Sequence, residues 1–287
     1  MSLLELLAQS TPLLILCAGL LGLLVGSFLN VVIHRLPKMM ERRWQQEARE
    51  ILGLDAVEQP PLTISKPASR CPACGVAIKP WQNIPVVSWL LLRGRAACCG
   101  VRISARYPLV ELLVSLMSAA CAWRFGYGSE LLGALALTWA LVALAFIDLD
   151  TQLLPDDITL PLLWGGLLFA LLGGLVPLAS AVIGAIAGYL ALWLVYWGFK
   201  LATGKEGMGY GDFKLLAALG AWLGWQSLPQ IILLSSIVGA ISGIVLVVFK
   251  RQQRGAAMPF GPFLAAAGWL ALMGVDVLAL IVPKVVG

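Results

Sequence analysis

Glu130-Leu-Leu-Gly-Ala-Leu-Ala-Leu-Thr-Trp-Ala-Leu-Val-Ala-Leu-Ala-Phe-Ile147 is a continuous apolar run that ends directly on Asp148. A run of this kind approaches the roughly 20 residues that cross a bilayer as a helix. Seven others of similar character surround it, near 12–33, 108–124, 159–175, 177–199, 213–226, 229–249 and 259–282. Of the 287 residues, 60% are hydrophobic and only 12% charged, with a mean hydropathy of +0.90. No soluble globular domain needs that much apolar surface. The pattern predicts an all-α polytopic membrane protein with about eight transmembrane helices. The first run has Glu5 and no Lys or Arg ahead of it, and stays apolar past any cleavage site, so it reads as a retained helix, not a signal peptide.

One long polar stretch interrupts the apolar runs. Twelve of the twenty Lys and Arg residues lie between Arg35 and Arg106, among Pro60, Pro61, Pro67, Pro72, Pro80 and Pro85. Trp81, Ile84, Val86, Val87 and Trp89 give the stretch material for a core of its own. The expected organisation is a first transmembrane helix in 1–33, a small cytoplasmic domain in 34–107, and a seven-helix membrane domain in 108–287. Gly173-Gly174 and Pro177 mark a turn, and Gly184 and Gly188 have the spacing of a close helix contact.

Orientation follows from charge placement. With eight spans and the large loop in the cytoplasm, the cytoplasmic segments are 34–107, 148–158, 200–212 and 250–258. Counting Lys214 at the edge of the sixth span, they carry eighteen of the twenty cations, leaving Arg124 and Lys284. That asymmetry obeys the positive-inside rule. It puts Asp148, at the end of the third span, and Asp212, at the start of the sixth, on one membrane face. Asp148, Asp150, Asp156 and Asp157 make a local anionic spot on a face otherwise rich in cations.

Asp212 lies in Gly207-Met-Gly-Tyr-Gly-Asp-Phe-Lys214. Two carboxylates held together can split a peptide bond with water: one deprotonates the water while the other, protonated, polarises the carbonyl. Gly207, Gly209 and Gly211 would let the backbone approach an extended substrate. Lys214 would orient the loop or reach lipid headgroups. The residues also admit a structural reading, with Asp212, Asp156 and Asp157 as helix caps and Asp148 and Asp150 in interfacial ion pairs.

Gly209-Tyr-Gly-Asp-Phe-Lys214 resembles the signature of the GxGD-type aspartyl proteases, and within them the bacterial type IV prepilin peptidases. Gly26-Ser-Phe-Leu-Asn-Val-Val-Ile-His-Arg-Leu-Pro37, Cys71-Pro-Ala-Cys-Gly75, Asn83-Ile-Pro-Val-Val-Ser-Trp89, Arg106-Tyr-Pro-Leu-Val-Glu111 and Ile147-Asp-Leu-Asp-Thr-Gln-Leu-Leu-Pro-Asp156 resemble that family in its order, over nearly the whole chain. The resemblance implies Asp148 and Asp212 as catalytic aspartates, with Asp150, Gly209, Gly211 and Lys214 in support. It implies removal of a basic leader from prepilins or type II secretion pseudopilins in the bacterial inner membrane, from the cytoplasmic side. It also implies N-methylation of the new terminus with S-adenosylmethionine.

Cys71, Cys74, Cys98 and Cys99 lie in the proposed cytoplasmic domain, where disulfides are disfavoured, and read as a structural zinc site. The family's second half is another Cys-x-x-Cys. Here Cys99 matches its second member, Ala96 stands at the first, and Cys98 is the candidate substitute. In the family this domain is associated with methylation as well as cleavage. Cys17 and Cys121 read as packing residues.

Asn30, His34 and Glu111 fall at helix ends. They suit either interhelical bonding, with Arg102 or Arg106 as partners, or the lining of a substrate or methyl-donor cleft. Asp276 has no assigned role. The chain has no P-loop, no dinucleotide-binding glycine motif and no nucleic-acid module, and its basic block is explained by orientation in the membrane. Two other classes remain in view: a transporter using intramembrane carboxylates for proton or cation coupling, and a zinc-stabilised scaffold without catalysis.

Overall fold

The computed structural model describes residues 3–55, 60–71, 73–249 and 258–276, and every regular element in them is helical apart from two isolated β-bridges. The helices are α1 (Leu3–Gln9), α2 (Thr11–Ile51), α3 (Val87–Leu91), α4 (Arg106–Phe125), α5 (Ser129–Thr151), α6 (Asp156–Leu171), α7 (Leu178–Thr203), α8 (Tyr210–Leu223), α9 (Leu228–Val248) and α10 (Gly261–Leu272). Each of the eight expected spans coincides with one of the longer helices. Five stretches of described residues are long and apolar enough to cross a membrane: Thr11–Ile51, Arg106–Phe125, Ser129–Thr151, Leu178–Thr203 and Trp225–Leu246. The end of the eighth expected span, most of the 250–258 segment and Lys284 lie outside the described residues.

Contacts divide the chain into two compact units, Met1–Tyr127 and Gly128–Gly287. In the first, α4 packs along α2. Ser10 caps α2 by accepting from the Leu13 N–H at 3.4 Å. The helix does not stop near 33. It runs for 41 residues, about 60 Å at roughly 1.5 Å per residue, about twice a hydrocarbon core of roughly 30 Å. Its last third, from Lys38 on, is charged and built of good helix formers, so it continues as a helix with most of its charges exposed.

In the second unit α8 is the innermost element. It has 14 residues, and all from Phe213 to Leu223 are buried except the half-buried Lys214. So short a helix is tolerated in an apolar environment because protein surrounds it. It packs against α7, α6 and α10. The α7 contact is a backbone-to-backbone approach: a Cβ at Gly184 would collide with the Gly220 carbonyl, and one at Gly188 would lie 2.6 Å from the Leu216 oxygen. The expected close contact of Gly184 and Gly188 is therefore made with α8. Against α6, Trp222 Nε1 donates to the Leu162 carbonyl at 2.8 Å and its ring meets Phe169 at 5.4 Å between centroids.

Gly184→Leu should force α7 and α8 apart and destabilise the protein by about 3 kcal/mol or more, seen as a lower unfolding temperature in detergent. Gly165→Ala is the control. The nearest atom to its new Cβ is a Trp222 ring carbon 3.8 Å away, so the unfolding temperature should hold or rise slightly.

Candidate active site

Asp148 occupies the last turn of α5, where the chain reverses through Gln152 in the left-handed region (φ 56°), its N–H bonded to the Asp148 carbonyl at 2.9 Å. The side chain is only 4% exposed, and its Oδ2 accepts from the Gly261 N–H at 2.9 Å. Gly261 is the first residue of α10. The first N–H groups of a helix have no partner within it and carry the positive end of its dipole, which suits them to a buried carboxylate. A Cβ at 261 would lie 2.7 Å from that oxygen and 3.1 Å from Leu154 Cδ2, so only glycine fits undisturbed. Sequence reading missed Gly261. Its signal was Phe260-Gly-Pro262 at the head of the last apolar run, a helix start with proline at its second position.

Asp212 lies in the first turn of α8, 6% exposed. Gly209, not Asp212, holds the N-cap position in extended conformation, so the capping role considered for the aspartate falls to the glycine backbone. Asp212 Oδ1 is buried and has no hydrogen-bond partner. Leaving a buried acceptor unsatisfied costs about 1–3 kcal/mol, a penalty that a bound water or substrate group would relieve. Asp212 is within electrostatic reach of Asp148.

The two carboxylate turns share a wedge. Leu154, in the link after α5, packs against Gly211, where a Cβ would be 2.7 Å from its own Cβ, and also reaches Gly261. Gly211 is thus needed for packing between the two motifs, and Gly207 lies against the Phe199 ring. Gly209 is the one with room, its nearest neighbour to a new Cβ being Asp212 Oδ2 at 4.0 Å. Lys214 reaches Asp156, contacting both carboxylate oxygens at 2.7 Å and tying the first turn of α8 to that of α6. Pro155, not Asp156 or Asp157, holds the N-cap position of α6, and Asp150 is exposed. The 204–209 loop is held to α7 by Lys200, which donates to Glu206 at 2.9 Å and to the Tyr196 hydroxyl at 3.2 Å. Tyr196, Tyr210 and Phe213 pack together in tilted and edge-to-face pairs, with centroids 5.3–5.7 Å apart.

The four cysteines of the first unit converge, with all Sγ atoms within 4.8 Å of one another and none in a disulfide. They sit on two matching turns. In one, Cys71 N–H bonds to the Val76 carbonyl at 2.8 Å and Gly75 N–H to the Cys71 carbonyl at 3.0 Å; in the other, Ala96 pairs with Val101 and Gly100 with Ala96, both at 2.8 Å. Gly75 and Gly100 have φ of 72° and 70°. Cys74 therefore corresponds to Cys99 and Cys71 to Ala96. Cys98 supplies the missing sulfur from a neighbouring position, 3.2 Å from Cys74 Sγ and 3.9 Å from Cys99 Sγ, while Cys71 and Cys99 are 3.6 Å apart. A tetrahedral zinc at about 2.3 Å from each sulfur spaces them by about 3.8 Å, so the set fits such an ion. The backbone N–H groups of Cys74 and Ala73 pull the Cys71 thiol down to about 6, and its hydrogen bond with Cys74 pushes Cys98 up to about 12. Asn30 and His34, expected at the end of the first span, lie inside α2 because the helix continues to Ile51; Asn30 bonds across to the Tyr107 carbonyl at 3.1 Å, His34 contacts Lys38 at 2.9 Å, and Glu111, in the second turn of α4, accepts from the Val86 N–H at 2.7 Å.

Residues 20–125 match the family model described as the bacterial Peptidase A24 N-terminal domain, and residues 135–244 the model of the Type IV leader peptidase family. The chain is 61% identical over 259 residues to a protein of Aeromonas hydrophila called prepilin leader peptidase/N-methyltransferase, covering 90% of this chain and 89% of that one. Proteins of the same name from Pseudomonas putida and Neisseria gonorrhoeae are 56% and 52% identical, over 96% and 93% of this chain and 96% and 92% of theirs. No solved structure matches.

Gly261→Ala should break the hydrogen bond to Asp148 and destabilise the fold by about 2 kcal/mol, the scale of a bond to a charged group, lowering the unfolding temperature. Gly209→Ala, with nothing nearer than 4.0 Å, should leave that temperature close to the parent's.

Proposed function

The chain belongs to the type IV leader peptidase family, and on that premise we propose that Asp148 and Asp212 are the carboxylates with which it cleaves leader peptides from prepilins or type II secretion pseudopilins. The observation that carries the assignment is a pair of buried carboxylates, one held by a helix-terminal N–H and the other with an unpartnered oxygen. In this reading the Gly261 N–H fixes one oxygen of Asp148 and leaves the other to take a proton from the attacking water. Asp212, through Oδ1, donates to the scissile carbonyl as the tetrahedral intermediate forms, and protons return as it collapses to acid and amine. Gly209 leaves space for an extended substrate backbone, Gly211 admits Leu154, and Lys214 positions the α8 turn through Asp156. Asp150 and Asp157, both exposed, would attract the positive charges of a leader.

The enzyme is an aspartic peptidase that also carries the N-methyltransferase activity of its relatives. The methyl donor for that step is S-adenosylmethionine, which supplies an electrophilic methyl group. We assign the active site to the cytoplasmic face of the bacterial inner membrane, from the placement of cations, and the 34–107 segment to the cytoplasm. Cys71, Cys74, Cys98 and Cys99 would hold a structural zinc that joins the two turns. The transporter reading finds no support, since the relatives carry peptidase names.

Asp148→Asn and Asp212→Asn should each reduce leader removal by on the order of 10⁴ or more, measured by mass spectrometry of a synthetic prepilin incubated with purified enzyme. Near-normal cleavage by either variant would overturn the pairing. The same spectra report methylation of the new terminus.

Cys98→Ser should lower bound zinc well below one ion per chain by metal analysis. Adding Ala96→Cys to that variant restores the usual spacing and should restore the zinc. Full zinc content in Cys98→Ser alone would remove Cys98 from the ligand set.

A further inference from the structure

The apolar residues expected to form a core for the polar stretch of the first unit do not bury themselves. Trp81, Ile84 and Val87 are exposed, Val86 and Trp89 are half-buried, and Leu90 and Leu91 stand 60% and 77% exposed. Apolar side chains grouped this closely on a surface mark a place where a protein or a membrane docks.

The depth of the segment separates those two partners. The α4 helix has 20 residues, about 30 Å at roughly 1.5 Å per residue, which matches a hydrocarbon core of roughly 30 Å. It has no length to spare, so its first turns lie inside the bilayer. The α2 helix agrees: Asn30, which bonds to the Tyr107 carbonyl, is the twentieth residue counted from Thr11. One turn deeper, Gly26 of α2 presses against Glu111 of α4, where a Cβ would lie 2.7 Å from the Glu111 Cα. Glu111 in turn accepts from the Val86 N–H at 2.7 Å. Val86 is thus held beside the first two turns of a membrane helix, in a conformation (φ 59°) that a β-branched residue avoids. The α4 helix exposes Leu109, Leu113 and Leu116 next to it, a surface that faces lipid.

Backbone groups in such a place need partners within the protein, and the segment provides them. The N–H groups of Ser88, Leu90, Leu92 and Gly94 bond to the carbonyls of Ile84, Val86, Ser88 and Trp89 at 2.8–3.1 Å. The Ser88 hydroxyl turns back onto the Ile84 carbonyl at 2.8 Å. The Val86 N–H, which precedes α3, is the one that Glu111 takes. Cations bracket the apolar residues: Lys79 on one side and Arg93 and Arg95 on the other, all exposed. An apolar face with basic flanks is the pattern of an element lying in the membrane interface.

We propose that residues 81–91 insert into the bilayer beside α4, with an anionic lipid surface as their partner. Trp81, Ile84, Val87, Leu90 and Leu91 enter the upper acyl chains, while Lys79, Arg93 and Arg95 reach back to headgroup phosphates. The inference rests on α4 crossing the membrane, not on the assignment of the aspartates. It restricts the water-exposed part of the 34–107 segment to the residues on either side, and makes Glu111 the anchor that sets the depth of the inserted turn.

Photocrosslinking tests it on the full chain in nanodiscs of phosphatidylethanolamine and phosphatidylglycerol. Leu90→p-benzoylphenylalanine and Leu91→p-benzoylphenylalanine should each give lipid adducts, read by mass spectrometry, at least tenfold above Ile51→p-benzoylphenylalanine. Ile51 is 84% exposed but lies about 30 Å along α2 beyond Asn30. The exposure of Leu90 and Leu91 means that neither replacement should lower the unfolding temperature. Lipid adducts no more abundant than at Ile51 overturn the proposal, as do adducts to a prepilin or to a second copy of the chain in place of lipid. Arg93→Gln combined with Arg95→Gln should lower the phosphatidylglycerol share of the adducts at least twofold, and an unchanged share overturns the anionic partner.

Discussion

A carboxylate buried in an apolar helix bundle must find hydrogen-bond donors that the hydrocarbon around it does not offer. For Asp148 the donor is the Gly261 N–H, a backbone group that α10 has to spare because it stands at the helix start. Much of the second unit follows from that bond. Residue 261 is held to glycine, since a Cβ there would crowd the carboxylate oxygen at 2.7 Å. The chain must turn sharply after α5 so that Leu154 can wedge between Gly261 and Gly211. The helix carrying Asp212 must then begin inside the protein, and it is short. Its enclosure depends on the glycine contact with α7 and on the Trp222 bond to α6.

The first unit solves a different problem. A stretch with so many prolines and charges has little apolar material, and its turns are fixed by backbone bonds and by glycines in the left-handed region. Those bonds, rather than the cysteines, set the shape of each turn. A sulfur can therefore move from position 96 to position 98 and still reach its three companions, because the scaffold does not depend on which residue carries it. Adjacent cysteines are awkward ligands of one tetrahedral ion unless their side chains diverge. The structure shows them diverging enough for sulfurs 3.9 Å apart, close to the edge of a zinc tetrahedron.

Hydropathy made the eight apolar helices of the described residues legible, five of them in stretches long enough to cross a membrane, because a span must be apolar over most of its length whatever its tertiary contacts. It failed where the helix and the apolar run part company. The α2 helix continues to Ile51, since helix propensity persists after hydrophobicity ends. The α8 helix starts at Tyr210 and ends at Leu223, three residues before the expected 213–226 at each end, because its first turn is the glycine-rich motif itself. Gly184 and Gly188 were readable from spacing alone, as the seam they form is periodic. Gly261 was not. Its role arises from a contact with a residue 113 positions away, and nothing local to it distinguishes a helix start that receives a carboxylate from one that does not. Lys214 had two readings in sequence, and its actual partner, Asp156, lies 58 positions away.

Both proposed catalytic carboxylates meet a helix start, Asp148 reaching from the last turn of α5 to the first N–H of α10 and Asp212 lying within the first turn of α8. Each helix start carries a partial positive charge, about half an elementary charge for a full dipole. That charge serves the resting enzyme by making buried acids tolerable. It serves catalysis as well, because negative charge grows on the substrate carbonyl oxygen as water adds, in the same low-dielectric space. Fixed backbone donors need not reorganise when that happens. In this reading α8 and α10 are part of the catalytic apparatus, and the glycines at 211 and 261 are constrained because they let helix termini come close to the charges they stabilise.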